Sequence, residues 1–114
     1  IVLSSRAIAI PRALTDHVIA HTATPPEIYQ QLRAEGRQRV YIDGGKTIQG
    51  FLRAGLVDDS TVSRMPVLIG SGIPLFGPVA ADIHLRHLTT AAFANGIVQT
   101  HYAVVKESST TEAE

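Results

Sequence analysis

Two glycines stand where a short apolar run meets a helical pattern, and this junction is well suited to hold a phosphate. Residues 40–42 predict a buried strand, and Asp43, Gly44 and Gly45 follow directly. The next segment has its apolar residues at the i, i+3, i+4 spacing of a helix: Ile48, Phe51 and Leu52. Glycines permit a tight turn and close approach of a ligand, and the first N–H groups of a helix lie at the positive end of its dipole.

The same junction could equally be a plain strand-to-helix turn, because it matches neither the GxGxxG nor the Walker A motif. If the anion interpretation is right, a side chain at Gly45 would stand between the backbone and the phosphate oxygens. It would also be strained if Gly45 takes a positive φ. We therefore expect Gly45→Val to abolish binding of a phosphate-bearing ligand.

A second set of polar donors follows the apolar residues 1–3. Ser4 and Ser5 offer hydroxyl groups, and Arg6 offers a planar guanidinium that suits phosphate oxygens. The tripeptide could also serve only to end a strand, so both interpretations stay open at this point.

The histidines do not predict a metal site. The chain has five of them and no cysteine. His84 and His87 are three residues apart in a strand pattern, which puts them on opposite faces. No helical H-x-x-x-H pair is present. The adjacent Asp58 and Asp59 predict a charged turn rather than a catalytic pair of carboxylates.

Composition limits the class of protein. The 114 residues are 45% apolar, enough for one modest core, and the formal net charge is zero, which argues against a nucleic-acid partner. No apolar run approaches the roughly 18 residues of a membrane span, so no membrane partner is expected, and the absence of cysteine fits the cytoplasm. The first residue is isoleucine rather than methionine, and we therefore expect that a segment upstream of it has been removed.

The first half of the chain alternates strand and helix patterns. Strands are predicted at residues 1–3, 17–20 and 39–42, with a loop at 7–16. Thr24-Pro25-Pro26-Glu27 has the sequence of a capping box, and it predicts a helix that Gly36 ends. Ile28 and Leu32 are expected to form the buried face of this helix. The second helix is expected to end at Gly55. Such alternation with short connections predicts a parallel sheet.

The second half has a different pattern. A strand is predicted at residues 61–69, where Pro66 indicates an edge position or a bulge, and a loop at 70–78. Residues 82–93 and 97–105 flank Asn95-Gly96, which predicts an antiparallel hairpin. Residues 106–114 are polar and predict a flexible tail.

Several segments together carry a resemblance that none of them carries alone. They are VYIDGG at 40–45, FLRAGLVD at 51–58, RMPVLIGSGIPLF at 64–76, and FANGIVQ at 93–99 with Tyr102. With these segments the chain resembles the dihydrofolate-reductase-like family, which includes the C-terminal reductase domain of the bifunctional riboflavin-biosynthesis enzyme. The resemblance covers residues 1–105.

The resemblance implies an α/β fold with a mixed, mostly parallel sheet flanked by helices and ending in an antiparallel hairpin. Residues 1–105 would be the C-terminal portion of a single domain. The implied cofactor is NADPH, held by Leu3, Ser4, Ser5, Arg6, Asp43, Gly44, Gly45, Lys46, Thr47 and Ile48. The implied wall of the substrate pocket comprises Gly70, Ser71, Gly72, Pro74 and Leu75.

The resemblance further implies an NADPH-dependent reductase that transfers hydride to a pterin-like or pyrimidine-like ring or imine. The alternative is a nucleotide-binding module without turnover, or a fragment that needs a partner chain. A homodimer is expected. The N-terminal part of the family has no counterpart before Ile1. We therefore expect this chain to be part of a longer protein, with catalytic residues outside it.

Overall fold

A computed structural model gives the fold and describes residues 1–106 of the chain. The chain divides into two compact units, Ile1–Leu56 and Val57–Glu114. The elements of the first unit are β1 (Val2–Ser4), β2 (Ala20–Thr22), α1 (Pro25–Ala34) and α2 (Gly45–Arg53), with a short 3-10 turn at Arg12–Leu14. Those of the second are β3 (Asp59–Arg64), β4 (Leu85–Ala92) and β5 (Val98–Val104). The fold is therefore mixed α/β.

The start of α1 is fixed by the capping box that the sequence predicts. The Thr24 hydroxyl accepts a hydrogen bond from the N–H of Glu27 at 3.3 Å, and the Glu27 carboxylate accepts one from the N–H of Thr24 at 2.7 Å. These bonds satisfy two donors at the helix start. The backbone N–H of Thr24 and then its hydroxyl lower the pKa of Glu27, because both bonds favour the charged carboxylate.

Both helices end where the sequence places a glycine. Gly36 follows α1 with φ 81°, and Gly55 follows α2 with φ 71°. Beyond each glycine, the chain donates a hydrogen bond back into the last turn, from residue 37 to residue 32 at 3.0 Å and from residue 56 to residue 51 at 2.9 Å. Such bonds satisfy carbonyl groups that the helix leaves unpaired.

The core of the first unit lies between its two helices. Ile28 of α1 is 3% exposed and Phe51 of α2 is 7% exposed, and the two helices are in contact. Gly50 permits the close approach, because a Cβ there would stand 3.3 Å from the Cγ of Pro25. Of the apolar residues predicted for the buried faces, Ile28 and Phe51 are buried, whereas Leu32, Ile48 and Leu52 are only half-buried.

The second unit is a three-stranded antiparallel sheet with β5 in the centre and the order β3-β5-β4. The hairpin of β4 and β5 turns at residues 93–97, where Gly96 has φ 94° and the side chain of Asn95 accepts a hydrogen bond from the N–H of Ile97 at 3.2 Å. The register of β4 shifts between His87 and Thr89, which marks a bulge. The predicted hairpin is confirmed.

The mostly parallel sheet is not confirmed. Among residues 1–106, only β1 and β2 pair in parallel, and both pairings of the second unit are antiparallel. The alternation of strand and helix patterns predicts that the helix after residues 40–42 leads to another parallel strand. β3 instead pairs with β5, which the hairpin places in the centre of a separate sheet.

Three predicted strands are corrected. Residues 40–42 form no strand, since no neighbouring strand of the described chain forms a ladder with them. The strand predicted at residues 17–20 occurs later, at β2, because the N–H groups of His17 and Val18 donate to the carbonyl of Leu14 at 3.0 and 2.8 Å and close a turn.

The strand predicted at residues 61–69 is the third correction. The observed strand begins earlier and ends at Arg64, which pairs with Val98, the first residue of β5. The residues before Val98 form the hairpin loop and offer no partner to the residues after Arg64. Pro66 has no N–H to donate to a ladder in any case. Of the predicted tail, residues 107–114 lie outside the described residues.

Candidate functional site

The strand-to-helix junction has the sharp turn expected of it, with one change of residue. Gly44 is the N-cap of α2, and its φ of 92° and ψ of 126° suit glycine alone. Gly45 is the first helical residue and does not have a positive φ, contrary to the condition considered for it above. The backbone constraint therefore belongs to Gly44.

The start of α2 presents backbone donors without a side-chain cap. The carbonyl of Gly44 accepts the first helical hydrogen bond, from the N–H of Ile48 at 2.8 Å. No side chain of the described residues caps the helix, and the side chain of Asp43 instead accepts from the N–H of Gly44 at 2.8 Å. The N–H groups of Gly45, Lys46 and Thr47 thus belong to the unpaired first turn, where an anion is favoured.

The hydroxyl of Thr47 lies close to the backbone of Gly44. A Cβ built on Gly44 would be 3.9 Å from the Oγ1 of Thr47. Thr47 thus adds a hydroxyl group to the N–H groups in the first turn of the helix. Lys46 is exposed beside them. This donor set of N–H, hydroxyl and ammonium groups fits a phosphate group.

The residues after β1 form a turn with a polar surface. The hydroxyl of Ser4, the last residue of β1, accepts a hydrogen bond from the N–H of Arg6 at 3.2 Å. Ser5 and the side chain of Arg6 are exposed. The tripeptide therefore ends the strand and leaves donors exposed to solvent, and its role toward a phosphate stays a prediction.

A groove of about 660 Å³ in the first unit brings part of the candidate cofactor set together. Leu3, Asp43 and Thr47 line it, with Ile28 and Phe51 in its wall. The remaining cofactor candidates are not among its lining residues: Ser4, Ser5, Arg6, Gly44, Gly45, Lys46 and Ile48.

The sequence analysis did not predict this groove. Residues 1–3 and 40–42 are apolar runs that line the groove, but both predict strands rather than the lining of a groove. At the rim, Gln31 approaches His21 at 3.5 Å and Glu35 at 3.3 Å, and Glu35 pairs with Arg37 at 3.6 Å.

The candidate substrate residues lie in the second unit, after β3. Gly70 has φ 79°, and the N–H of Ser71 donates to the carbonyl of Ile69 at 2.9 Å. The segment is exposed throughout, with Ile73 96% exposed and Leu75 48% exposed. Gly72 is packed closely against Ile69, since a Cβ there would stand 2.9 Å from the Cδ1 of that residue.

The second unit also places two side-chain pairs at and beside its sheet. The Nε2 of His101 lies 3.3 Å from the Oδ2 of Asp59, and the Nζ of Lys106 lies 3.6 Å from the Oδ1 of Asp58. The two aspartates therefore have separate partners. In the part of the chain that the structure describes, no cluster of three or more histidine, aspartate or glutamate side chains could hold a metal ion. Across residues 1–106, no helix is long and apolar enough to span a bilayer.

Comparison with known proteins identifies the family. The model of the RibD C-terminal domain matches residues 3–99, and the chain belongs to this family. Two uncharacterized proteins of Bacillus subtilis strain 168 are similar to it. YyaP is 35% identical over 77 residues and YwjB is 33% identical over 73 residues. These regions make up 67% and 63% of this chain but only 41% of each Bacillus protein, so the chain matches less than half of their length.

Two solved structures have the same fold. A protein from Shewanella sp. PV-4, named for riboflavin biosynthesis, aligns with a TM-score of 0.85 at 32% identity, over 90% of this chain and 58% of its own. A pyrimidine reductase-like protein from Corynebacterium diphtheriae aligns with a TM-score of 0.65 at 23% identity, over 75% of this chain and 37% of its own. At 23% identity, the similarity to the Corynebacterium protein shows a shared fold and nothing about function.

Proposed function

We propose that the protein is an NADPH-dependent reductase that transfers hydride to a pterin-like or pyrimidine-like ring or imine. The observation that carries the proposal is the match of residues 3–99 to the RibD C-terminal domain. The Shewanella relative, similar over 90% of this chain, is named for riboflavin biosynthesis, which supports a heterocyclic substrate of that kind.

The junction at Gly44 supports a cofactor that bears phosphate groups. NADPH, when bound, supplies the hydride, and the protein supplies orientation and electrostatic complementarity. In this proposal, the first N–H groups of α2 and the hydroxyl of Thr47 hold the pyrophosphate, with Lys46 balancing its charge. Ser4, Ser5 and Arg6 hold the phosphate on the adenosine ribose.

The residues after β3 have the second role in the proposal. The segment from Gly70 to Leu75, including Ser71, Gly72 and Pro74, forms part of the wall of the substrate pocket. Gly70 has no side chain, and a Cβ built on it would have no atom within 4 Å, so a planar ring can approach its peptide groups closely. Acid–base catalysis is assigned to no residue of this chain.

The test uses the complete polypeptide that the gene encodes. NADPH is titrated first and its binding measured by fluorescence. Oxidation of NADPH is then followed with a panel of aminopyrimidine, dihydropteridine and cyclic imine substrates. We expect saturable binding and oxidation with at least one ring substrate. Saturable binding without oxidation on any substrate would favour a nucleotide-binding module, and absence of binding would contradict both functions.

A further inference from the structure

A long run without ionisable side chains lies between β3 and β4. Residues 65–81 contain no Asp, Glu, Lys, Arg or His, although Arg64 precedes the run and Asp82 follows it. Residues 65–76 of this run are exposed throughout. Exposed segments of this length normally include charged residues, since about a quarter of the residues of a globular protein are charged. The candidate wall of the substrate pocket, residues 70–75, belongs to this run and therefore offers a ligand no charged side chain.

The run also has few groups that could hold a phosphate. Proteins bind phosphate groups with Arg or Lys side chains or with the N–H groups at the start of a helix, and no helix lies within residues 65–81. The N–H of Ser71 is already donated to the carbonyl of Ile69 at 2.9 Å. Ser71 is the only residue of the run whose side chain carries a hydroxyl, amide or ring N–H group. The run therefore suits a ligand that is uncharged and makes a single side-chain hydrogen bond here.

The turn at residues 69–72 places an aliphatic side chain next to an open glycine. A Cβ built on Gly72 would stand 2.9 Å from the Cδ1 of Ile69 and 3.9 Å from its Cγ1, so the side chain of Ile69 lies over Gly72. A Cβ built on Gly70 would have no atom within 4 Å. A flat ring can thus lie on the peptide groups of Gly70 and contact the side chain of Ile69, and dispersion favours such contact.

We propose that the substrate is an uncharged planar ring without a phosphate ester, and that Ser71 is the residue of this chain that selects it. The proposal rests on the reductase function proposed above. The ring lies against Gly70 and Ile69, and the Ser71 hydroxyl makes a hydrogen bond with a nitrogen or oxygen atom of the ring. A phosphate ester brought to this segment would lose its hydration without gaining a cation, which is costly.

Matched pairs of substrates test the absence of a phosphate ester. An aminopyrimidine and a dihydropteridine, each with a hydroxyalkyl side chain, are compared with the phosphate monoesters of the same compounds. The complete polypeptide that the gene encodes is used, and oxidation of NADPH is followed by absorbance. We expect the kcat/KM of the unphosphorylated member of an active pair to be at least about tenfold higher than that of its ester.

The outcomes separate this proposal from the proposed function. Oxidation of NADPH with an equal or higher kcat/KM for the phosphate ester would overturn the present proposal and leave the reductase function standing. Saturable binding of NADPH without oxidation by any member of either pair would contradict both.

Variants of Ser71 test the contact with the segment itself. We expect Ser71→Ala to raise the KM of the unphosphorylated substrate by about three- to tenfold, as for the loss of one hydrogen bond, and to leave the affinity for NADPH unchanged.

Ser71→Arg adds a phosphate-binding side chain at an exposed position, and Ser71→Gln is its uncharged control of similar length. Relative to Ser71→Gln, we expect Ser71→Arg to shift the ratio of the two kcat/KM values toward the phosphate ester by about tenfold. A ratio that is the same in Ser71→Arg and Ser71→Gln would show that the substrate does not contact this segment, and it would overturn the proposal.

Discussion

Gly44 combines two demands that can be separated by mutation. Its φ of 92° excludes other residues on grounds of strain, and its position before α2 exposes helix N–H groups to a ligand. Gly36 has a comparable φ of 81°, but it lies after the C-terminal end of α1 and is not one of the candidate phosphate residues. The pair therefore distinguishes strain from binding.

We predict that Gly44→Ala and Gly36→Ala each destabilise the protein by about 1–3 kcal/mol, the usual cost of a strained backbone conformation. Only Gly44→Ala should also lower the affinity for NADPH, by about tenfold or more, and a tenfold loss corresponds to about 1.4 kcal/mol of binding free energy. Thermal melting and cofactor titration on the same purified variants measure both effects. Equal cofactor affinity in the two variants would show that the junction at Gly44 is a plain turn and does not bind the cofactor.

In the proposed function, Arg6 is the residue that distinguishes NADPH from NADH. Its side chain is exposed after the Ser4 turn, where it can pair with the extra phosphate of NADPH. We predict that Arg6→Ala weakens the binding of NADPH by about 1–3 kcal/mol, as expected for the loss of a hydrogen bond to a charged group, with little effect on the binding of NADH. Arg12→Ala, also exposed, is the control. Equal losses for both cofactors in Arg6→Ala would remove Arg6 from this role.

At the level of elements, α1 is the best-specified part of the chain. Its start, its buried Ile28 and its end at Gly36 all follow from local sequence, and the structure confirms each of them. The capping box adds a dependence on pH, because one of its two hydrogen bonds is made by the Glu27 carboxylate. The charged form of Glu27 is the one that the bond stabilises.

We predict that Glu27→Gln destabilises α1 at neutral pH and has little effect in acid. The pKa of Glu27 is lowered on folding, so its contribution to stability is complete above the ordinary pKa of a glutamate and is lost as the pH falls through the lower folded value. Urea denaturation at pH 7 and at successively lower pH measures the difference.

Thr24→Ala is the control for this experiment. The Thr24 hydroxyl accepts the N–H of Glu27 whatever the charge of the carboxylate. The loss in Thr24→Ala, about 0.5–2 kcal/mol for an N-cap, should therefore persist in part into acid. A Glu27→Gln effect that is equally large in acid would show that the charge of the carboxylate is not involved.

At the scale of the whole molecule, the segment after β3 exposes much apolar surface. Leu68 is 91% exposed, Ile69 is 74% exposed and Ile73 is 96% exposed. Apolar surface of this kind favours association. Exposed apolar surface of this kind is compatible with the homodimer that the resemblance implies, which stays a prediction.

We predict that the 114-residue chain self-associates and that the double variant Leu68→Lys, Ile73→Lys reduces the association at equal protein concentration. Sedimentation velocity measures the distribution of species. Ser71→Lys adds a charge to the same exposed segment without removing apolar surface, and it should have a smaller effect. A monodisperse monomer for the unmodified chain would contradict the prediction.

The sequence by itself determined the local features of this protein and the family to which it belongs. The helix caps, the glycine turn before α2 and the hairpin at Asn95-Gly96 depend on neighbours within a few residues, so they can be predicted from the sequence alone. The apolar spacing within each helix likewise points to Ile28 and Phe51 as buried residues. The matched segments likewise identified the family.

Only the tertiary structure decided which strands pair. The apolar run at residues 40–42 has the composition of a buried strand, yet it forms no ladder within the described chain, because a strand exists only with a partner beside it. β3 was expected in a parallel sheet and instead lies antiparallel to β5. Its end at Arg64 is set by where β5 turns, which is a property of the partner strand and cannot be read from β3 itself.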